Sequence, residues 1–579
     1  MRFVRPAAVL AAPLVFSILA AAQTRPAARR PAATPRSFSV VEAGIPEMQR
    51  ALASGRVTSV ELVRQYLTRI ATYEPVLHAV LAVNPNALAE AARLDRERAG
   101  GHVRGPLHGI PVALKDNIQT TMMPTTGGAL AFAGLVPPYE ATLTANLRAA
   151  GAIILAKTGM TELANWMAGD PTPMPTNYNS VGGFGFNPFD PRRDPRDETF
   201  DGRPALSTGG SSSGIGTNAS FWAASVGTET SGSILSPSNQ NMLAGIKPTV
   251  GRISRYGVIP ITADQDTPGP MARTVADAAV MLGVLEGRTP DPRDPATQTC
   301  MPPPGHSYTR SLRAGALKGA RIGIPRAFFY DRVVPPGDTV ARGGLSPAQQ
   351  IVMANAIAVL KARGAVIVDP ANIPSIVDTN AGNNFLNWNI CSGEGERRGK
   401  DADCAIGLKY GMKRDFNAWL ATLGSASAIA SLTDLRQWNL KHAKAGTLKY
   451  GQSDLDISDE MDVVRDRARY EADRAKDVRL AGTHGIDEVM EAERLDAILF
   501  PGPAGAGISA RVGYPTVIVP FGMVPNAPGA SPFPAGFDAR PAPFGVSFAG
   551  RACSDARLVE LAYAFERATT GRVPPPGIH

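Results

Sequence analysis

The chain has 579 residues, 44% hydrophobic and 19% charged, with a formal net charge of +8. With 58 glycines and 50 prolines, the composition is typical of a loop-rich globular α/β protein rather than a helical bundle. The Lys and Arg residues form no basic cluster interleaved with aromatic residues, so the charge predicts no nucleic-acid partner.

The N-terminal residues carry the pattern of a secretory signal. Two arginines precede an apolar run, Ala7 to Ala20, which is followed by an A-x-A cleavage pattern. The run is short for a membrane span and contains Pro13, which favours a cleaved signal over an uncleaved anchor. We predict a signal peptide over residues 1–22, a disordered linker over 23–36, and a secreted or periplasmic protein. No later segment of the sequence is long and apolar enough to span a bilayer.

From residue 37 onward, helical and strand patterns alternate. Predicted helices lie within 51–74, 86–99, 274–287, 346–363 and 554–569. Predicted strands lie within 110–115, 151–157, 319–325, 364–370, 496–503 and 514–522. This alternation predicts one large α/β domain over 37–579, with a central mixed, largely parallel sheet covered by helices.

Two segments interrupt the alternation. Residues 179–208 form a long loop rich in Pro, Gly and Asp, and such loops are more often functional or decorative than part of a core. Residues 383–492 combine polar helices with loops, and we expect them to cover one edge of the domain. Neither segment contains a recognisable substrate-binding pattern.

Four cysteines are present, and none forms a C-x-x-C pair, so no zinc site is expected. In an oxidising compartment, Cys391 and Cys404 could close a small loop. Four separate thiols are an equally good interpretation of the sequence.

The chemistry-bearing stretch lies between Ser207 and Ser238, which holds ten serines and no histidine. A G-x-S-x-G pattern is centred on Ser212, but the segment before it lacks the strand that a nucleophile elbow requires. No serine is followed by lysine three residues later, so a Ser-x-x-Lys arrangement is absent from the sequence.

A buried lysine is the remaining candidate for a base. Lys115 ends the apolar run "IPVAL", and a lysine, with an ordinary pKa of about 10.4, acts as a base near neutral pH only when it is desolvated. The segment "TETSGSI", from Thr228 to Ile234, offers a tight glycine-containing turn whose N–H groups could bind an oxyanion. A strand-end lysine paired with Asp116 and a plain Gly/Ser turn remain open alternatives.

Four segments occur along the chain in this order: "GIPVALKDNI", "GGSSSG", "GTETSGSI" and "GIKPTVGRISRYGVIP". Together they resemble the amidase signature family, and the resemblance extends from "SVELVRQYLTRI" to "PFGVSFAGRACSDARLVELAYAFERAT". The "GTET.GSI.SP" form is similar to the branch that contains bacterial peptide amidase. The family's fold is a single α/β domain like the one predicted above.

The resemblance implies a Ser–cis-Ser–Lys triad. Ser233 matches the nucleophile, Ser211 matches the serine held on a cis peptide, and Lys115 matches the base. The oxyanion would be bound by the N–H groups of one loop, namely Thr230, Ser231, Gly232 and Ser233.

This sequence departs from the family pattern in several places. The aspartate of "GTD" is Glu229, the second "GG" is Ser231-Gly232, and the arginine after "GGSI" is Leu235. Ser233 follows Ser211 by 22 residues, about two fewer than the family pattern, and we place the deletion near Ala224. An earlier deletion would let Ser212 take the bridging role instead.

The chemistry implied is hydrolysis of carboxylic or peptide amides through a serine acyl-enzyme, with release of ammonia or an amine. The resemblance implies no metal and no organic cofactor. C-terminally amidated peptides are the substrates suggested by the branch, with aryl or fatty amides as alternatives. An ester-hydrolysing or catalytically inactive secreted member of the fold is the alternative function. The oligomeric state stays open.

Overall fold

Strands from the whole length of the domain join in one sheet in the computed structural model, which describes residues 1, 38–196, 201–394, 403–526 and 532–578. The strands are β1 Val80–Val83, β2 Pro111–Lys115, β3 Ile153–Thr158, β4 Tyr178–Asn179, β5 Gly183–Phe184, β6 Ala224–Glu229, β7 Ala244–Lys247, β8 Thr267–Ala272, β9 Arg321–Gly323, β10 Val366–Val368, β11 Asn389–Ile390, β12 Cys404–Ala405, β13 Ala497–Pro501, β14 Thr516–Val524 and β15 Ala542–Ala549.

The helices that flank the sheet are α1 Ile45–Ala53, α2 Ser59–Leu77, α3 Ala87–Ala99, α4 Thr142–Ala149, α5 Ser212–Asn218, α6 Leu235–Gln240, α7 Val275–Leu285, α8 Arg326–Phe329, α9 Pro347–Ala362, α10 Pro374–Val377, α11 Gly407–Gly411, α12 Asn417–Leu423, α13 Leu432–Lys441, α14 Ser453–Asp459, α15 Arg467–Val478, α16 Asp487–Ala492, α17 Ala506–Arg511 and α18 Asp555–Thr569. Two π-helical segments, Met412–Phe416 and Arg479–Ile486, continue α11 and α15. None of the helices in the described ranges is long and apolar enough to cross a membrane. The predicted signal peptide and linker fall outside the described residues, apart from Met1.

Eleven of the fifteen described strands form the large sheet, in the order β1-β3-β2-β6-β8-β7-β14-β15-β13-β9-β10, whereas β4 pairs with β5 and β11 pairs with β12 in separate two-stranded sheets. It is mixed, as predicted, but the expectation that it is largely parallel is wrong. Of the ten contacts between neighbouring strands in this sheet, six are antiparallel and four are parallel. The antiparallel half includes β7 and β8, whose Gly and Pro residues hide the strand pattern in the sequence.

The parallel strands β3, β2 and β6 lie side by side and place their carboxyl ends at one edge of the sheet. In register, Lys115 pairs with Thr158 of β3, and Leu114 pairs with Val226 of β6. The carboxyl ends of parallel strands are where α/β proteins place their ligand sites. The start of α5, with Ser211, lies at this edge because Ser212 N donates to Gly159 O just after β3. The chain then enters β6 at the opposite edge and returns to this one in the 230–234 turn that follows β6.

The predicted cover, residues 383–492, packs on the domain through a second hydrophobic cluster. Phe132 makes edge contacts with Phe416 and Trp419, and Trp166 donates a hydrogen bond from Nε1 to Ser458 Oγ at 2.9 Å. This packing buries Trp166.

All four cysteines are paired. Cys300 is bonded to Cys553, and Cys391 is bonded to Cys404. The second pair lies wholly within the cover and is the small loop that the sequence left open. The first pair joins the segment after α7 to the turn before α18, which are 253 residues apart in the chain.

Candidate active site

Lys115 is buried at the carboxyl end of β2. Its Nζ donates hydrogen bonds to Thr228 O and Thr228 Oγ1, each at 3.0 Å. Burial lowers the pKa of Lys115 to about 8, although the Asp266 and Glu229 carboxylates oppose that shift. The alternative that Lys115 pairs with Asp116 is excluded, because Asp116 forms its ion pair with Lys157 at 3.2 Å.

The hydrogen bonds of Lys115 match a neutral amine. A lysine ammonium has three N–H donors, so the neutral amine has two donors and one lone pair. Both donors are used on Thr228. The Thr228 hydroxyl is held as an acceptor because its Oγ1 also accepts from Asn117 Nδ2 at 3.0 Å. Among the described residues no third group bonds Nζ, so the lone pair of a neutral Lys115 can take a proton.

Three consecutive serines begin α5, and their side chains have different partners. Ser212 Oγ exchanges hydrogen bonds with the Asn177 side chain at 3.2 and 3.3 Å, and Ser213 Oγ bonds Thr158 Oγ1 at 2.6 Å. Ser211 caps α5 and accepts from Ser213 N at 3.3 Å. Ser211 is thus the serine of the three whose hydroxyl proton has no acceptor among the described residues.

The peptide bonds of Ser211 are trans, which corrects the expected cis bond. In the described parts of the chain, the cis bonds are those preceding Pro171 and Pro370. The chain reverses before Ser211 through Gly209 and Gly210, whose φ angles of +76° and +92° suit glycine alone, and Ser211 itself is extended. The two glycines therefore supply the turn.

The turn that carries Ser233 packs against the turn that carries Ser211. A Cβ atom added to Gly209 would lie 2.4 Å from Pro237 N, so the glycine permits direct contact with the start of α6. Ser233 itself lies just before α6 and is half-buried. The structure therefore brings the two serine-bearing turns together at the edge where β2 ends.

The loop from Thr230 to Ser233 presents backbone donors. Gly232 has a φ of +92°, which turns the chain tightly. Within the described residues, no acceptor is found for the N–H groups of Ser231, Gly232 and Ser233. A side-chain hydrogen bond anchors the start of the loop, because Thr230 Oγ1 donates to Asp266 Oδ1 at 2.5 Å. Free N–H groups in a fixed turn are suited to bind a developing oxyanion.

The three residues Lys115, Ser211 and Ser233 are not joined by a hydrogen bond in the described structure. Sequence reasoning also missed Thr228 and Asn117, which orient Lys115. Thr228 lies one residue before Glu229 on β6. This position identifies it as a partner of Lys115 only when β6 is known to lie beside β2.

The comparisons with known proteins agree with this geometry. The family model named Amidase matches residues 61–559.

The chain belongs to the amidase family.

Relatives of this amidase are similar over nearly their whole length. A probable amidase of Arabidopsis thaliana is 32% identical over 572 residues, which cover 98% of this chain and 96% of the plant protein. The native peptide amidase of Stenotrophomonas maltophilia superposes with a TM-score of 0.75 and 34% identity, covering 92% of this chain and 98% of that one. An amidase family protein of Bacillus anthracis superposes with a TM-score of 0.75 and 28% identity, covering 93% of this chain and 92% of that one.

These findings confirm the resemblance expected from the four motifs, including its peptide amidase-like branch. The protein is a hydrolase that acts on amide C–N bonds.

Proposed function

We propose that this amidase cleaves amides through a relay from Ser233 to Ser211 to Lys115. The observation that carries the proposal is the environment of Lys115, whose buried amine uses two donors on Thr228 and keeps its lone pair free. Ser211 supports it, because its hydroxyl proton is uncommitted whereas Ser212 and Ser213 are engaged elsewhere. Ser211 rather than Ser212 is therefore the bridging serine.

The proposed reaction has two stages, acylation of Ser233 and hydrolysis of the acyl-enzyme. Neutral Lys115 takes the proton of Ser211, Ser211 takes the proton of Ser233, and Ser233 Oγ attacks the amide carbonyl carbon. The carbonyl oxygen gains negative charge and is bound by the N–H groups of the 230–233 loop. The proton returns along the relay to the departing nitrogen, and ammonia or an amine leaves as the C–N bond breaks. Water then attacks the acyl-enzyme by the same relay and frees the acid. The chain's own residues carry every step.

The substrate class that fits best is a peptide with a C-terminal amide. This part of the proposal rests on the 34% identity to the peptide amidase of Stenotrophomonas maltophilia over 92% of this chain.

The protein acts outside the cytoplasm. The N-terminal pattern over residues 1–22 supports export, and so do two disulfides that leave no free cysteine among the described residues. After export through the bacterial signal pathway, intact-mass measurement should place the mature N-terminus at Gln23. Recovery of the protein only in the cytoplasm, beginning at Met1, would contradict this localisation.

The mechanism is tested with the purified full chain and a fluorophosphonate, which reacts with activated serines. We expect one adduct, located on Ser233 by peptide mass spectrometry, and its absence in S233A. Wild-type protein should also release ammonia from a C-terminally amidated dipeptide, and S233A should not. A wild-type adduct on Ser212, or ammonia release by a folded S233A, would refute the assignment of the nucleophile. An adduct on Ser233 with ester but no amide cleavage would refute amide hydrolysis as its activity.

A further inference from the structure

Glu229 is a buried carboxylate that the relay does not use. It is the last residue of β6 and occupies the position where the family pattern has aspartate, six residues before the leucine that replaces the family's arginine. Its side chain is buried beside the loop that carries Ser233. Glu229 and Leu235, the two departures from the family pattern, therefore flank the loop that carries Ser233.

Glu229 closes that loop with two hydrogen bonds. Its Oε2 accepts from Ile234 N at 2.8 Å and from Leu235 N at 3.0 Å, the two residues that follow Ser233. The Thr230–Ser233 segment is thus fixed at its start by the β6 ladder and at its end by the Glu229 carboxylate. An aspartate is one methylene shorter and could not keep both bonds from the same backbone position.

Glu229 also influences two buried lysines electrostatically. Its charge acts on Lys115 of β2 and on Lys247 of β7, each of which has a pKa lowered by burial to about 8. Asp266 also faces Lys115, and Asp555 also faces Lys247. In the described residues, Glu229 has no ion-pair partner within 4.0 Å, and its Oε1 is buried without a hydrogen bond.

We infer that Glu229 is a positioning residue, whose carboxylate fixes Ser233 and the oxyanion-binding N–H groups by closing the loop that carries them. The inference rests on the proposed relay and adds to it a residue that touches neither substrate nor the reacting atoms.

Two substitutions separate the position of the Glu229 carboxylate from its charge. E229Q keeps an oxygen that can accept both N–H bonds but removes the charge. We expect the plateau rate at high pH to stay within about threefold, and the low-pH limb of the rate profile to shift to lower pH by about half a unit or more, because the carboxylate raises the pKa of Lys115. E229D keeps the charge but withdraws it from the two N–H groups. Its rate should fall about 10- to 100-fold with the limb unmoved, because small displacements of a nucleophile are costly.

Glu74 supplies a matched control. Its carboxylate accepts from Ala79 N and Val80 N, each at 2.9 Å, which are five and six residues later, the spacing that Glu229 has with Ile234 and Leu235. Glu74 lies near the end of α2. E74Q and E74D should change the labelling rate less than about twofold and should not move the low-pH limb.

The measurement is the rate of fluorophosphonate labelling of Ser233 against pH, per folded molecule, which needs no knowledge of the natural amide. A wild-type protein that is not labelled at Ser233 would refute the proposed relay itself. Labelled wild type with an E229D rate equal to it would overturn the role of Glu229 alone. A lowered melting temperature with an unchanged labelling profile in both variants would make Glu229 purely structural and would also overturn it.

Discussion

Lys115 and Lys157 are two buried lysines on adjacent parallel strands with opposite consequences. Lys157 is surrounded by acceptors: Asp116 Oδ1 at 3.2 Å, Asp116 O at 3.3 Å, Pro124 O at 3.0 Å and Thr125 Oγ1 at 2.8 Å. Within the part of the chain that the structure describes, Lys115 Nζ has two acceptors, both on one threonine. Burial lowers the pKa of both lysines, and at Lys157 the Asp116 carboxylate opposes the shift.

The two lysines differ in the number of hydrogen-bond acceptors around Nζ rather than in their degree of burial. Four acceptors satisfy all three donors of an ammonium, so the Lys157 site is built to hold a charge and tie β3 to the loop after β2. Two acceptors leave Lys115 with an unused position on nitrogen. The neighbouring strands thus hold one lysine for structure and one for chemistry.

Replacing Lys115 should have the largest effect on activity. K115M keeps the length of the side chain and removes the proton acceptor, so kcat/KM should fall about 10³-fold or more while the fold persists. Ammonia release and a thermal melt on the same preparation measure both. Substantial activity in folded K115M would show that Lys115 is not the base, and Lys115 and Lys157 would then not differ in function.

A second prediction concerns which serine passes its proton to Lys115. S211A should lower kcat/KM about 10²-fold or more, because the relay loses its middle member. S212A is the matched control, and since Ser212 is engaged with Asn177 it should retain activity within about fivefold. The reverse ranking of the two alanine variants would transfer the bridging role to Ser212.

The pH profile tests the protonation of Lys115 directly. The amine must be neutral to act, and its pKa is lowered by burial to about 8. Proton uptake below that pH removes the base, so kcat/KM should fall about tenfold per pH unit below about 8 and level off above it. Stopped assays from pH 6 to 10 measure the limb. A rate that stays flat down to pH 6 would show that Lys115 is not the titrating base.

Replacing Lys157 should have the smallest effect on activity but a clear effect on stability. K157M leaves the buried Asp116 carboxylate without its cation, which costs about 3–5 kcal/mol of unfolding free energy. Below the melting temperature, kcat/KM should stay within about threefold. The double variant D116N/K157M should recover part of the lost thermal stability because it removes the unpaired charge. A folded K157M protein as inactive as K115M would show that Lys157, like Lys115, is needed for catalysis.

Much of this site follows from local sequence. The apolar run before Lys115 predicts a buried lysine at a strand end, and the glycine turn before Ser233 predicts free backbone donors. Sequence also predicts the α/β domain, because its longer helices and strands have strong periodic patterns. These features depend on neighbours in the chain.

What sequence did not predict depends on neighbours in space. Thr228 meets Lys115 because β6 lies beside β2, and no local pattern specifies that register. Strands β7 and β8 escaped prediction because Gly245 and Gly269 interrupt them, yet a Cβ added to Gly269 would lie 2.2 Å from Ile246 O, so the sheet needs the glycine there. The cis bond expected at Ser211 came from resemblance, and the two glycines before it turn the chain instead.

The bond between Cys300 and Cys553 has a consequence for a molecule that is cut by a protease. It encloses most of the C-terminal half of the chain, including the cover, in one covalent ring. A single proteolytic cut anywhere between these two residues opens the ring but releases no fragment. A nicked molecule therefore keeps both pieces attached, and they separate on a denaturing gel only after a reductant has been added.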